Sequence, residues 1–134
     1  MGLFAGKRPH GLGFASGQFR PCSWKPNCVN STADPLTDAK HHIAPLPFKG
    51  DAAQAWTALA ALVKARPRTH VVKEEGHYLY CEFSSKGLGY VDDVEFALDP
   101  AAGVIHVRSA SRLGIRDFGV NRARIESIRQ QFLG

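Results

Sequence analysis

The stretch YVDDVEFALDPAAGVIHVRS, residues 90–109, decides how this chain is expected to fold. In its first half, Val94, Phe96 and Leu98 alternate with polar or small residues, a period of two that is typical of a half-buried β-strand. The second half repeats this alternation around Val107, and the DPAAG segment between the halves is rich in turn formers. Because the connection is so short, the two strands are predicted to pair antiparallel.

Further extended segments precede this hairpin, and a helix is predicted at each end of the series. The strands are predicted over 70–74, 77–83, 90–98 and 104–109. The first helix is predicted over 51–66 with Asp51 as its N-cap. The second is predicted over 121–132 with Asn121 as its N-cap. This order predicts an α+β fold in which a four-stranded antiparallel sheet carries both helices on one face.

The first 50 residues are rich in glycine and proline, which interrupt helices and strands. Apolar residues such as Phe14 and Phe19 indicate that this part of the chain packs on the rest. We therefore expect a long irregular N-terminal segment that wraps the domain. A length of 134 residues is typical of one domain, so the chain is divided into a tail over 1–20 and a single domain over 21–134.

Composition narrows the class of protein and of partner. The hydrophobic fraction of 44% and the charged fraction of 22% are typical of a globular protein. The net charge of +5 permits an anionic partner. Nucleic acid is an unfavourable candidate, because an acidic cluster lies close to the arginines and no RNA-binding signature is present. No apolar run is long enough to span a membrane, and without an apolar leader a cytoplasmic location is expected.

Polar residues that could bind a ligand or take part in catalysis are concentrated between residues 92 and 124. The candidate ligand-binding residues are Asp92, Asp93, Glu95, Arg108, Ser109, Ser111, Arg112, Asp117, Asn121 and Arg122. Arginines, hydroxyls and the backbone N–H groups at a helix start are suited to a phosphate or carboxylate. The same charges could instead neutralise one another in a structural network, and strand pairing predicts that Glu95 lies opposite Arg108.

Three functions remain open on this evidence. The favoured hypothesis is a binding module for a small anionic ligand. An enzyme could use the same pocket with Asp92, Asp93 or Glu95 as acid–base groups, although no residue is assigned as catalytic. An accessory protein could act through contacts with a protein partner. Neither a cofactor nor a metal is predicted.

Two cysteines near the start, Cys22 and Cys28, flank the segment SWKPN. They could form a disulfide, bind a metal together with His41, His42 or Cys81, or both stay reduced. A nucleophilic Cys28 activated by one of the two histidines is a further alternative. A cytoplasmic location favours the reduced pair.

The segments PNCVNS (26–31), VDDVEF (91–96), RSASRLG (108–114) and DFGVNRARIE (117–126) resemble, in this order, the signatures of domain-of-unknown-function family 1499. The resemblance extends from about Cys22 to the C-terminus. It implies a small bacterial or chloroplast-type domain with no agreed activity, and it assigns no catalytic residue. It also implies that Cys22, Cys28 and the candidate ligand-binding residues other than Glu95 belong to a common pattern.

Overall fold

The computed structural model describes residues 4–134, so residues 1–3 of the predicted tail lie outside the described residues. The elements are β1 (Phe14–Ala15), β2 (Gln18–Phe19), β3 (Cys28–Asn30), β4 (Leu46–Pro47), α1 (Ala52–Lys64), β5 (Thr69–Glu75), β6 (Tyr78–Ser84), β7 (Val91–Asp99), β8 (Val104–Ser111) and α2 (Val120–Leu133). The strands β1 and β2 form a small hairpin of their own.

The main sheet has six strands, and the prediction of a four-stranded sheet is wrong. Its order is β3-β8-β7-β6-β5, and β4 also pairs with β8. All of these pairings are antiparallel. The strands β3 and β4 were not predicted from the sequence, because they contain only three and two residues, too few to show an alternating pattern. They pair with the otherwise unpaired edge of β8, which offers free backbone N–H and C=O groups.

The two helices begin differently. The Asp51 carboxylate accepts a hydrogen bond from the backbone N–H of Gln54 at 3.0 Å, which confirms Asp51 as the N-cap of α1. Asn121 is not the N-cap of α2, because the cap position is Gly119, with φ of 80°. The Asp117 carboxylate accepts from the N–H groups of Gly119 and Asn121, so an aspartate before the helix does the capping instead.

The hydrophobic core lies between the helices and one face of the main sheet, here called the helix face. Alternation along β7 and β8 directs Phe96 and Val107 into this core, where they meet Ile125 and Ile128 of α2. The opposite face, here called the wrapped face, is covered by residues 8–21. No helix within residues 4–134 has the length and apolar character to cross a membrane.

Contacts between backbone and side chain hold residues 8–21 on the wrapped face. The backbone N–H of Gly13 donates to Glu95 Oε2 at 3.0 Å, and Arg108 Nε donates to the carbonyl of Arg20 at 2.8 Å. The Phe14 ring stacks on His106 with 5.7 Å between the ring centroids. The polar side chains of this face are therefore buried beneath the N-terminal segment.

Candidate functional site

The predicted candidates do not form one site, because neighbouring residues of a strand point to opposite faces of the sheet. The wrapped face receives Asp93, Glu95, Arg108 and Arg112. The helix face receives Asp92, Ser109, Ser111, Asp117 and Asn121. Arg122 belongs to neither group, since it donates to the backbone carbonyls of Lys40 and His42.

Arg112 is the centre of an ion-pair cluster on the wrapped face. Its Nε and Nη2 atoms donate to the two carboxylate oxygens of Asp93 at 2.9 and 2.8 Å, and Nη2 also donates to Glu82. The Tyr80 hydroxyl donates to Asp93, and Arg8 Nε donates to Glu82 at 2.8 Å. Hydrogen bonding to Asp93 raises the pKa of Arg112, and hydrogen bonding to Arg8 lowers that of Glu82. The Arg112 guanidinium is thus committed to its own carboxylates.

Glu95 and Arg108 form a second buried pair on this face. Glu95 is fully buried, and its Oε2 accepts from the Tyr78 hydroxyl at 2.5 Å and from the Gly13 N–H. Its Oε1 lies 3.5 Å from Arg108 Nη1 and accepts no hydrogen bond from the described residues. Burial raises the pKa of Glu95 and lowers that of Arg108, since both charged forms lose water.

The network on the helix face is organised by the Asn121 amide. The Ser109 hydroxyl donates to Asn121 Oδ1 at 2.6 Å, and Asn121 Nδ2 donates to Ser111 Oγ and Asp117 Oδ2, both at 2.8 Å. Arg124 donates to Asn121 Oδ1 at 2.9 Å and to Asp92 Oδ2 at 2.7 Å. Arg124 lies within the predicted range of 92–124 but is not among the candidate ligand-binding residues, although a residue three positions after Asn121 lies on the same side of α2.

Asp117 stays ionised in this network. Burial alone would raise the pKa of its carboxyl, but the backbone and side-chain N–H groups of Asn121 and the backbone N–H of Gly119 together hold the pKa below its ordinary value. Its oxygens are therefore occupied by the start of α2.

A cleft of about 710 Å³ adjoins the helix-face network. Its charged walls are formed by Arg66, Arg68, Asp92, Arg116, Asp117 and Arg124. Arg124 is paired with Asp92, whereas Arg66, Arg68 and Arg116 have no carboxylate within 4.0 Å among residues 4–134. Burial lowers the pKa of Arg66, and the nearby charge of Arg124 lowers it further. The cleft therefore carries an excess of positive charge.

Apolar side chains complete the cleft. Leu113, Val120 and Tyr90 line it and are exposed to solvent. Phe118 also lines it, with 95% of its surface exposed and a left-handed backbone at φ of 54°. Both properties are unfavourable for a phenylalanine, and such outliers cluster at functional sites. The cleft was not predicted from the sequence, because it combines segments that are distant in the chain.

The structure settles the alternatives for the cysteines. Cys22 and Cys28 form a disulfide, with an S–S distance of 2.04 Å, so they are not the reduced pair that a cytoplasmic location favours. Neither sulfur is free to bind a metal or to act as a nucleophile. His41 is held between Asp38 Oδ1 at 2.7 Å and the Lys25 carbonyl at 2.8 Å. Within residues 4–134 no group of three or more histidine, cysteine or acidic side chains could hold a metal ion.

Cys81 is the remaining cysteine and lies in the hydrophobic core. Burial raises the pKa of its thiol to about 12, so it stays protonated and unreactive.

Replacing both Cys22 and Cys28 by serine is expected to lower the free energy of unfolding by about 2 kcal/mol, because the bridge closes a short loop in the unfolded chain. Chemical denaturation measures the loss, and intact mass spectrometry of the untreated protein reports the bridge directly. A reductant should destabilise the wild type by the same amount and leave the double variant unchanged. A fully reduced mass of freshly purified protein would contradict the pairing.

The fold and the site together define a class: a small domain in which one antiparallel sheet bears two helices, buried ion pairs and an arginine-lined cleft. Residues 18–132 match the family model described as protein of unknown function, DUF1499, and the chain belongs to this family. This match confirms the resemblance seen in the sequence motifs. No curated protein and no solved structure matches the chain.

Proposed function

We propose that this protein binds a small anionic ligand that also has an apolar part, and that the cleft beside α2 is the binding site. One observation carries the proposal: Arg66, Arg68 and Arg116 have no carboxylate partner among residues 4–134, and they line the same cleft as exposed apolar side chains. A volume of about 710 Å³ is in the range of small-molecule sites.

The proposed anion site is the cleft, which includes only part of the candidate set predicted between residues 92 and 124. Arg112 and Arg108 are buried and already face the protein's own carboxylates, so an added anion would have to displace Asp93 or Glu95. In the cleft, Arg66 donates to Gln131 and Ser127, and Arg68 Nε donates to the Ser84 carbonyl. None of these groups is a carboxylate, so the positive charge of these arginines and of Arg116 is not neutralised by residues 4–134, and their remaining N–H donors can bind a carboxylate, sulfate or phosphate. Asp92, Ser111 and Asp117 stay in the proposal as walls of the cleft.

The enzyme hypothesis has less support from the same geometry. The Asp92 carboxylate is paired with Arg124, and the lowered pKa of Asp117 makes it a poor proton donor or acceptor near neutral pH. Glu95 has a raised pKa but is buried under the N-terminal segment. Binding without chemistry is therefore the function that the cleft favours.

The cytoplasmic location stays a prediction. The disulfide between Cys22 and Cys28 weighs against it, because cytoplasmic thiols are kept reduced.

Fluorescence titration with 1-anilinonaphthalene-8-sulfonate, an aromatic sulfonate, tests the proposal. Arg116→Ala is expected to raise the dissociation constant about tenfold, because it removes one charged donor from the cleft. The Arg116 side chain makes no hydrogen bond within the part of the chain that the structure describes, so the fold should be unaffected. Octyl sulfate should displace the probe.

Lys49→Ala is the matched control, since it removes one exposed positive charge outside the cleft. Its affinity for the probe should stay within about twofold of the wild type. Equal affinities of the Arg116 and Lys49 variants, or no saturable binding by the folded wild type, would refute the cleft as the site.

A further inference from the structure

Two neighbouring loops form the outer edge of the cleft. One loop, residues 85–90, joins β6 to β7, and the other, residues 112–119, joins β8 to α2. They leave the same end of the sheet, because Val91 pairs with Ser84 on one side while Asp92 pairs with Ser111 on the other. The backbone N–H of Arg112 donates to the carbonyl of Val91 at 3.4 Å, so the second loop starts beside the end of the first.

Both loops expose large apolar side chains, which we call the rim: Leu88, Tyr90, Leu113, Ile115, Phe118 and, at the start of α2, Val120. Phe4 extends the rim, since its ring stacks on Tyr90 with 5.0 Å between the centroids. A single exposed apolar residue is ordinary, but a contiguous set marks a surface that is covered in use. None of the rim side chains belongs to the hydrophobic core of the domain.

The charged side chains that face solvent around the rim are positive. Lys86 and Arg116 are exposed in the two loops, and Arg68 donates to the carbonyl of Ser84 at the base of the first. Asp117 is the single carboxylate in the two loops, and it is turned inwards to the N–H groups that begin α2. Apolar tips among cations are the arrangement that enters the interface of an anionic bilayer.

We infer that the rim docks this protein on an anionic lipid surface, with Phe118 as the main apolar anchor and Lys86, Arg68 and Arg116 facing the lipid headgroups. Charge complementarity selects the lipid. The left-handed backbone of Phe118 fits this role, because the fold gains nothing from an exposed phenylalanine there. The inference goes beyond the proposed function, since the cleft could bind a soluble anion with or without a membrane.

Flotation with large unilamellar vesicles tests this inference at low ionic strength. The wild type is expected to float with vesicles of phosphatidylcholine mixed with phosphatidylglycerol, and to stay unbound with phosphatidylcholine alone. Phe118→Asn should lower the partition coefficient at least about tenfold, because it removes the largest exposed apolar side chain of the rim. Its melting temperature should be unchanged or higher, since asparagine tolerates the left-handed conformation better than phenylalanine does.

Leu36→Asn is the matched control, because Leu36 is 91% exposed but lies outside the rim. This variant should float like the wild type. Equal flotation of the Phe118 and Leu36 variants, or no flotation of the wild type with the anionic vesicles, would overturn the inference. Saturable binding of anilinonaphthalene sulfonate with sensitivity to Arg116→Ala would still support the cleft, so the two failures are distinguishable.

Discussion

Arg112→Ala is expected to lower the free energy of unfolding by about 3–5 kcal/mol, the cost of removing one partner from a buried ion pair. Only 4% of the Arg112 side chain is exposed, and its guanidinium serves both Asp93 and Glu82. Without it, the hydrogen bond from Tyr80 is the one that the buried Asp93 carboxylate keeps among residues 4–134, while Glu82 keeps Arg8. The uncompensated charge of Asp93 is therefore the main source of the loss.

Chemical denaturation of the two proteins measures this effect, and Arg116→Ala provides the matched control. Arg116 is an exposed arginine without a carboxylate partner among the described residues, so its loss should change the stability by less than about 0.5 kcal/mol. A loss below about 1 kcal/mol for Arg112→Ala would contradict a structural role. Arg112 would then be available for a ligand.

The sequence predicted the parts of the fold that follow from local patterns. The alternation of Val94, Phe96 and Leu98 and the short DPAAG turn were sufficient for the β7–β8 hairpin, in which Glu95 does lie opposite Arg108. The short strands β3 and β4 could not be predicted, because their pairing depends on the edge of β8 rather than on their own residues. Tertiary context decided the size of the sheet.

The candidate site shows a different limit. The acidic residues Asp92 and Asp93 are neighbours in sequence, yet the pleat of β7 directs them to opposite faces of the sheet. Applying the period of two to the polar residues as well as to the apolar ones would have predicted that the candidate ligand-binding residues of β7 and β8 lie on two opposite faces of the sheet. The cleft could not be predicted in this way, because Arg66 and Arg68 reach it from the connection between α1 and β5.

Arg108→Met is expected to lower the free energy of unfolding by about 3 kcal/mol near pH 7, because it leaves Glu95 buried without its positive neighbour. Burial already raises the pKa of Glu95 above 4.5, and loss of Arg108 should raise it further. The folded state then holds a proton that the unfolded chain releases as the pH rises above 4.5. Stability must therefore fall with rising pH in that range, more steeply in the variant than in the wild type.

Adding Glu95→Gln to Arg108→Met separates the buried charge from the lost hydrogen bonds to Arg20 and Pro21. The neutral amide can still accept from Tyr78 and Gly13 but needs no counterion, so the double variant should regain more than half of the lost stability near pH 7. Urea unfolding at pH values of about 5 and 7 measures both effects. If the Arg108 variant were equally unstable with either residue at position 95 and at both pH values, the pair would contribute only packing.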